Sequence, residues 1–330
     1  KHIVIAQPLG ISSALFRNLS QPLEEKGFTF TVFDTVPQDQ QELGRRIGDA
    51  DLLVIANYPL KKEALDCASS LKYICVAFTG VDHIDLDACR ERNISVSNCA
   101  GYSTQSVAEL VFGLILSLLR KIPEGNETVR DGGTSAGLRG QEIGGKTLGI
   151  IGTGAIGCRV AEIAKVFGAH VIGFSRSRKS PIISYTDLDT LLRTSDIVTV
   201  HLPLNEETRH FLSKEKLSLL KENAILINTA RGGVIDNDAL AGLLTEGKIR
   251  AAGIDVFDSE PPLPRDTALL SAPHTVLMPH IGFDTEESME RRAAIVMDNL
   301  TSYLEGKQKN IIAERRIKDS PADGHRFRTG

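Results

Sequence analysis

Several features that would point to particular classes of protein are missing from this chain of 330 residues. Its five cysteines are scattered and never form a C-x-x-C pair, which argues against a disulfide framework and favours reduced thiols in a cytoplasmic protein. The 38 Lys and Arg residues do not outnumber the 42 Asp and Glu residues, so charge gives no reason to expect nucleic acid as a partner. We expect no secretory signal, because the opening KHIVIA predicts a short strand.

An apolar run long enough to cross a bilayer is missing as well. The most apolar stretch is Val107–Lys121, and Glu109 interrupts it. It therefore predicts a helix buried in a core or at a subunit contact rather than a membrane anchor. With 42 % hydrophobic and 24 % charged residues, the composition is that of a soluble globular protein, and the length allows two domains.

Short β-branched runs alternate with helix-length segments along the chain, which is the pattern of parallel sheets covered by helices. The glycine-rich stretch DGGTSAGLRGQEIGG separates two series of strands, and the six strands of the second series match a doubly wound dinucleotide fold. We expect the charged tail from about Ala313 onward to be mobile. The first series comprises His2–Ala6, Thr29–Phe33, Leu52–Ala56, Tyr73–Ala77 and Ser95–Ser97, with helices over Ser12–Lys26 and Lys61–Ser69. The second comprises Thr147–Ile151, His170–Phe174, Ile197–His201, Ala224–Asn228, Ala252–Val256 and Thr275–Met278, followed by a helix over Glu286–Leu304.

The stretch TLGIIGTGAIG contains the spacing G-x-G-x-x-G at Gly152, Gly154 and Gly157. A bare match is weak, but this one follows an apolar strand and opens a helical pattern, as a dinucleotide site requires. Gly152 permits the tight turn, Gly154 lets the backbone approach a pyrophosphate, and Gly157 lets the helix pack closely on the strand. An ordinary strand-to-helix turn is the alternative.

The next strand ends in HVIGFSRSRK, where an acidic residue would normally accept a hydrogen bond from the ribose of NAD. Here Ser175 takes that place, followed by Arg176, and Arg178 and Lys179 lie close behind. A 2′-phosphate is attracted to arginine, so the charge pattern favours NADP over NAD. The alternative is a solvated basic turn that tolerates either cofactor.

Three more candidate residues each follow a strand of the second series: Arg231 in NTARGGVID, Glu260 in DVFDSEPP and His280 in LMPHIGFD. At the carboxyl edge of such a sheet a guanidinium can clamp the carboxylate of an α-keto acid and polarise its carbonyl. Imidazole suits proton delivery near neutral pH, and a neighbouring carboxylate would orient the ring and favour its protonated form. A structural histidine and a surface arginine are the alternatives.

Four residues that could bind a metal lie close together in the sequence: Asp82, His83, Asp85 and Asp87. A turn followed by a capped helix explains this cluster more simply, and no other metal-ligand spacing supports a site. We therefore predict no metal.

Seven stretches, in this order, together resemble the D-isomer-specific 2-hydroxyacid dehydrogenases: GVDHIDLDACRERNISVSN, SVAELVFGLIL, GKTLGIIGTGAIG, HLPLNEETRHFL, NTARGGVID, AAGIDVFDSEPP and PHIGFDT. The resemblance implies an α/β fold with a doubly wound parallel-sheet (Rossmann) cofactor domain over residues 101–284. It implies a second, flavodoxin-like α/β substrate domain formed by residues 1–100 and 285–330, with the active site in the cleft. The helix over Val107–Leu119 resembles part of the family's dimer contact, so a homodimer is expected.

The resemblance also assigns roles. It implies that Arg231 binds the substrate, that His280 is the general acid/base and that Glu260 is its partner. Gly80, Val81 and Asn57 are implied on the substrate side, and Asp255 is implied to contact the nicotinamide amide. The cofactor-binding residues it implies are Thr104, Gly152, Gly154, Ala155, Ile156, Gly157, Ser175, Arg176, Ser177, His201, Leu202, Pro203, Thr208, Thr229, Ala230, Asp255, His280 and Gly282.

The predicted function is hydride transfer between NAD(P), with NADP favoured, and a small D-2-hydroxyacid/2-keto acid pair. Glyoxylate or hydroxypyruvate is the favoured substrate, then D-lactate, then 3-phosphoglycerate. The last is disfavoured because Asn57 stands where members handling a phosphorylated acid tend to supply arginine. Phe283 stands where members often carry smaller residues, so we expect it to shape the pocket. A dinucleotide-sensing binding protein, similar to a transcriptional corepressor that shares the fold, is the rival.

Overall fold

The structure, a computed structural model, describes residues 1–178 and 180–313. Lys179 of the basic run and the charged tail beyond Ala313 lie outside the described residues. Contacts between Cα atoms divide the chain into two compact units. One comprises Lys1–Ala100 and the chain from Glu290 onward, and the other comprises Gly101–Met289.

Strands and helices alternate through both units, because each apolar strand is followed by a segment with its own helix-start signal. Asp39, Asp85, Asp187 and Asp236, for example, each accept a hydrogen bond from the first turn of the helix that they cap. The strands are β1 His2–Ile5, β2 Thr29–Val32, β3 Leu52–Ile55, β4 Tyr73–Val76, β5 Ser95–Asn98, β6 Thr147–Ile151, β7 His170–Phe174, β8 Ser184–Tyr185, β9 Ile197–Val200, β10 Ile225–Asn228, β11 Ala251–Ile254, β12 Thr275–Leu277 and β13 Ile311–Ala313. The helices are α1 Ser13–Glu24, α2 Gln40–Ile47, α3 Lys62–Asp66, α4 Leu86–Glu91, α5 Thr104–Arg120, α6 Ile122–Arg130, α7 Ala155–Val166, α8 Leu188–Thr194, α9 Lys214–Leu217, α10 Asn237–Thr245 and α11 Glu286–Leu304.

The sheet of the first unit has the strand order β13-β5-β4-β3-β1-β2. All neighbours are parallel except β13, which runs antiparallel to β5. Without β13 this is the flavodoxin-like order, whose switch point lies between β1 and β3. Ligands of such sheets bind beyond the carboxyl ends of the strands at that point, where Gln7 and Asn57 stand.

The sheet of the second unit is parallel throughout, with the order β12-β11-β10-β9-β6-β7-β8. This is the doubly wound dinucleotide-binding order with one strand added, and its switch point lies between β6 and β9. Strands β10, β11 and β12 lie side by side, with Asn228, Ile254 and Leu277 in register. Side chains that follow these three strands therefore meet at one edge of the sheet.

The predicted α/β class and the parallel sheets are confirmed, but two strands are absent from the prediction. The second sheet has seven strands rather than six, because β8 contributes two residues, too few for a strand pattern. The other missed strand, β13, lies in the segment from residue 311 that leads into the predicted tail.

Apolar layers cover both faces of the second sheet, and helix α5 belongs to one of them. Val111 and Ile115 of α5 are fully buried beside strand residues such as Ile150 and Ile227. The prediction of a buried helix here is confirmed. Within the described residues no helix is both long and apolar enough to span a membrane.

Candidate active site

The three glycines of the loop between β6 and α7 each meet a different steric demand. Gly152 has φ +93°, and a Cβ there would lie 2.6 Å from the carbonyl oxygen of His201. A Cβ on Gly157 would lie 2.1 Å from the carbonyl oxygen of Gly152, so no side chain fits between the helix and the turn. At Gly154, the N-cap of α7, a Cβ would meet no atom of the described residues within 4 Å.

These residues fit a dinucleotide. Helix α7 has twelve residues, and the N–H groups of its first turn, at Ala155 and Ile156, lie where anions bind to helix N-termini. Directly after β10 of the same sheet, the buried Thr229 hydroxyl has no hydrogen-bond partner among the described residues. A buried hydroxyl of this kind normally has a partner, which a bound ligand would supply.

Beyond β7, the loop that starts at Ser175 presents its basic side chains to solvent. Ser175 is half-buried, whereas Arg176, Ser177 and Arg178 are exposed. The Nη1 atom of Arg176 lies 3.4 Å from Oε2 of Glu207, and the two side chains are 87 % and 78 % exposed. An ion pair this exposed contributes little, so it leaves Arg176 available to a phosphate.

Hydrogen bonds within the loop after β9 stabilise its conformation. The Thr208 hydroxyl donates to the carbonyl of Pro203 (2.6 Å) and the Asn205 N–H donates to Thr208 Oγ1 (2.8 Å). His201 Nε2 lies 2.9 Å from Thr199 Oγ1. Burial lowers the pKa of His201 to about 3, so this imidazole is neutral at physiological pH. Leu202 packs on the core beneath the loop.

Arg231 lies in a turn that hydrogen bonds to one asparagine side chain stabilise. Asn228, fully buried at the end of β10, accepts a hydrogen bond from the Ala230 N–H (3.0 Å) and donates to the carbonyl of Arg231 (3.0 Å). Arg231 is half-buried, and its Nη1 donates to the Ala230 carbonyl at 2.8 Å. The turn fixes the segment Thr229–Arg231 at the carboxyl edge of the sheet.

The Arg231 turn is packed against the loop that leads from β11 to Glu260. A Cβ on Gly232 would lie 2.0 Å from the backbone carbon of Phe257, so only glycine permits this approach. The Asn237 amide bridges the two segments, donating to Asp258 Oδ2 (3.0 Å) and to the Gly232 carbonyl (3.3 Å). Asn228 and Asn237 are absent from the predicted site, although both stand inside or beside the quoted stretch NTARGGVID.

Glu260 and His280 are in direct contact: His280 Nδ1 lies 2.8 Å from Glu260 Oε1. A carboxylate only accepts, so Nδ1 carries the hydrogen. The His280 side chain is 10 % exposed and its φ is +58°, an unfavourable conformation for a residue with a Cβ, of the kind that concentrates at functional sites. The Phe283 ring stands edge-on to the imidazole, with centroids 5.3 Å apart and an interplanar angle of 87°.

A buried carboxylate holds the histidine loop in place. Asp255, the residue after β11, is fully buried and accepts hydrogen bonds from the N–H groups of Ile281 and Gly282, both at 2.9 Å. Burial raises the pKa of Asp255, and the two N–H donors oppose that rise. A Cβ on Gly282 would lie 2.9 Å from Asp255 Oδ2 and 3.3 Å from Leu110 Cδ2, so the loop packs tightly against α5, which begins at Thr104.

In the other unit, the predicted substrate residues follow two neighbouring strands. Asn57 lies beyond β3, and Gly80 and Val81 lie beyond β4. Sequence reasoning missed Gln7, whose Oε1 accepts from the N–H groups of Ala56 (3.1 Å) and Tyr58 (3.2 Å) and whose Nε2 donates to Asn57 Oδ1 (3.1 Å). Gln7 therefore fixes the orientation of Asn57.

The residues of the rejected metal cluster have structural uses. Asp85 caps α4 by accepting from the Ala88 N–H at 2.9 Å, as the capped-helix interpretation predicts. His83 Nε2 lies 2.6 Å from the carbonyl of Ala56. Over residues 1–178 and 180–313 no group of three or more His, Cys, Asp or Glu side chains could hold a metal ion.

Comparisons with known proteins show the family to which the chain belongs. The family model for the NAD binding domain of D-isomer specific 2-hydroxyacid dehydrogenases matches residues 112–282. A glyoxylate reductase of Thermofilum pendens is 38 % identical over 293 residues, covering 85 % of this chain and 86 % of that protein. A D-3-phosphoglycerate dehydrogenase of Methanocaldococcus jannaschii is 39 % identical over 282 residues, covering 83 % of this chain, which spans only 53 % of that longer protein.

Among solved structures, the chain is similar to an acyclic imino acid reductase, Bsp5, in complex with NADPH and D-Arg. The TM-score is 0.87 at 34 % sequence identity, with 95 % of this chain and 100 % of that chain covered. That neighbour binds NADPH, and a nicotinamide dinucleotide is the cofactor class that these findings support.

Two alanine substitutions in the glycine loop should separate folding from cofactor binding. Gly157→Ala should lower the free energy of unfolding by about 1–3 kcal/mol, because its Cβ would overlap the Gly152 carbonyl at 2.1 Å. Gly154→Ala should fold like the wild type, because a Cβ there has no described protein atom within 4 Å, yet it should weaken cofactor binding by obstructing the approach of the pyrophosphate. Denaturant unfolding and cofactor titration measure the two effects, and equal cofactor affinity in Gly154→Ala would contradict the assignment of the loop.

Proposed function

We propose, since the chain belongs to the D-isomer-specific 2-hydroxyacid dehydrogenase family, that it interconverts a small 2-keto acid and its D-2-hydroxyacid with NADP(H). The observation that carries the proposal is the contact between His280 and Glu260, 2.8 Å, at the sheet edge that also receives Arg231. A proton donor, the carboxylate that orients it and a carboxylate-binding cation thus follow three adjacent strands.

In this proposal His280 moves the proton. Its Nδ1–H is held by Glu260, which assigns Nε2 to protonate the carbonyl oxygen during reduction and to take the proton back during oxidation. The edge-on ring of Phe283 and the Asp255 anchor keep the imidazole in one orientation. A fixed orientation matters because proton transfer needs the donor within hydrogen-bond distance of the reacting oxygen.

Arg231 is proposed to bind the substrate carboxylate and to stabilise negative charge that develops on the C2 oxygen. When bound, the reduced nicotinamide supplies the hydride to C2. Asp255, Thr229, Ala230 and Thr104 are the residues proposed to hold the nicotinamide end. Ser175, Arg176 and Ser177 are proposed to hold the rest of the cofactor, together with Gly152, residues 154–157, residues 201–203 and Thr208.

The preference for NADP rests on charge. No acidic side chain stands at position 175, and within the described part of the chain Arg176 pairs with the exposed Glu207 at 3.4 Å. A 2′-phosphate carries more negative charge than that single carboxylate and would be gripped by the guanidinium. The NADPH-bound reductase similar to this chain supports the same choice.

For the substrate, glyoxylate or hydroxypyruvate is proposed first, then D-lactate, then 3-phosphoglycerate. Asn57, oriented by Gln7, supplies a neutral amide rather than the positive charge that a phosphorylated acid would require. Gly80 and Val81 are proposed to bind the substrate carboxylate through the backbone. The glyoxylate reductase among the relatives supports glyoxylate as a candidate substrate.

Two other proposals concern the setting in which the enzyme works. A homodimer is proposed because helix α6 buries none of its residues and exposes Ile122 (53 %) and Val129 (74 %). A cytoplasmic location is proposed because all five cysteines are free thiols.

A panel of 2-keto acids against both reduced cofactors tests the function. We expect turnover with glyoxylate or hydroxypyruvate, and a kcat/KM with NADPH about tenfold or more above that with NADH, the effect of one charge-assisted contact. A strong NADH preference would show that the arginines only face solvent. Absence of turnover despite tight cofactor binding would favour the alternative function, a dinucleotide-sensing binding protein. Turnover that requires an added amine would favour an imino acid as the substrate, as the name of the structurally similar acyclic imino acid reductase indicates for that protein.

His280→Ala should reduce kcat by about 10²–10⁴-fold while the dissociation constant for NADPH stays near that of the wild type, because the imidazole acts on the substrate oxygen. The matched control is His274→Ala. His274 also has a positive φ (56°), but it precedes β12, at the other end of the strand. Both variants lose a histidine from a left-handed backbone position, so similar activity in the two would remove His280 from the mechanism.

A further inference from the structure

A chain of hydrogen bonds ties the exposed basic loop to the rigid part of the cofactor unit. The Ser180 N–H lies 3.3 Å from the Tyr185 hydroxyl, which lies 3.1 Å from Thr153 Oγ1, which in turn lies 3.3 Å from the carbonyl of Ser177. The loop carrying Arg176 is therefore held downstream at Ser177 and again at Ser180. None of these contacts involves the residues proposed to catalyse the reaction.

The direction of the hydrogen bonds is determined by the number of hydrogens. Each hydroxyl has one hydrogen to donate. The Ser180 N–H can only donate and the Ser177 carbonyl can only accept, so Tyr185 must donate to Thr153 and Thr153 must donate to Ser177. All three bonds form only in this order, and removal of the Tyr185 hydroxyl leaves both Ser180 and Thr153 without the partner shown here.

The two anchoring side chains are themselves well held. Thr153 is 6 % exposed and stands between Gly152 and Gly154, so the network starts inside the pyrophosphate loop. Tyr185 packs against the apolar core from β8, which pairs with β7. A Cβ on Gly173 would lie 2.5 Å from Ile183 Cγ2 and 3.2 Å from Thr153 Cγ2, so β7 brings these parts into close contact.

We propose that Tyr185, acting through Thr153, is a positioning residue that sets the basic loop in the conformation that reads the 2′-phosphate of NADP. The proposal rests on the NADP preference proposed above and extends it from the arginine to the residues that hold its loop. An exposed loop that is already ordered loses less conformational entropy when it binds its ligand. The network holds the loop at Ser177 and Ser180, which follow Arg176, so its effect should be confined to the phosphorylated cofactor.

Tyr185→Phe tests this directly, because it deletes the hydroxyl and keeps the ring that packs on the core. Loss of the network should raise the KM for NADPH and the dissociation constant of adenosine 2′,5′-bisphosphate by about fivefold, the effect of one hydrogen bond. The kcat, the KM for NADH and the affinity for 5′-AMP should stay unchanged. Tyr303→Phe, which removes a hydroxyl that donates to the Lys72 carbonyl in the other unit, is the control for the substitution itself.

A double-variant cycle shows whether the effect passes through the arginine. In an Arg176→Gln background, Tyr185→Phe should cause little further loss of NADPH affinity, because coupled residues are not additive.

The outcomes separate this proposal from the one on which it rests. If the wild type binds adenosine 2′,5′-bisphosphate no more tightly than 5′-AMP, the NADP preference itself is wrong, and the role of Tyr185 falls with it. Suppose instead that the wild type binds adenosine 2′,5′-bisphosphate more tightly than 5′-AMP. If Tyr185→Phe leaves the ratio of the two affinities unchanged, or lowers both affinities equally, only the positioning role is overturned.

Discussion

The geometry of the candidate active site, at the edge of the second sheet, depends on one buried carboxylate. Asp255 stands directly after β11 and holds the backbone of Ile281 and Gly282, and through them the loop that carries His280. Two charge-assisted hydrogen bonds offset part of the desolvation of a fully buried carboxylate, and burial nevertheless raises its pKa. The unfavourable left-handed conformation of His280 is maintained because the next two residues are fixed in this way.

Close backbone approach is the second constraint on the site. Gly157 against Gly152 brings α7 onto its strand, and Gly232 against Phe257 brings the Arg231 turn onto the Glu260 loop. At both places a Cβ would overlap backbone atoms, which cannot move aside as a flexible side chain can. The parallel register of β10, β11 and β12 then places the ends of the three loops side by side.

The sequence predicted the parts of this site that depend on residue type at strand ends. Gly152, Arg231 and His280 each follow an apolar strand, and parallel sheets place such residues at one edge. It did not predict the parts that depend on side-chain contacts between distant segments. Asn237 meets Asp258 across 21 residues and Gln7 meets Asn57 across 50, and no local pattern encodes either contact. Strand β8 was not predicted, because two residues are too few to show a periodic pattern. Tyr185 lies on this strand, so its contacts were not predicted either.

The central claim is that this protein transfers a hydride to C2 of a keto acid and delivers the proton from a histidine. Incubation with NADPH deuterated at C4 of the nicotinamide and with hydroxypyruvate, followed by NMR of the product, tests it most directly. The account predicts D-glycerate with one deuterium at C2 from the labelled cofactor, and none at C2 when unlabelled NADPH is used in heavy water. Glycerate whose C2 hydrogen comes from solvent, or the L enantiomer, would contradict it.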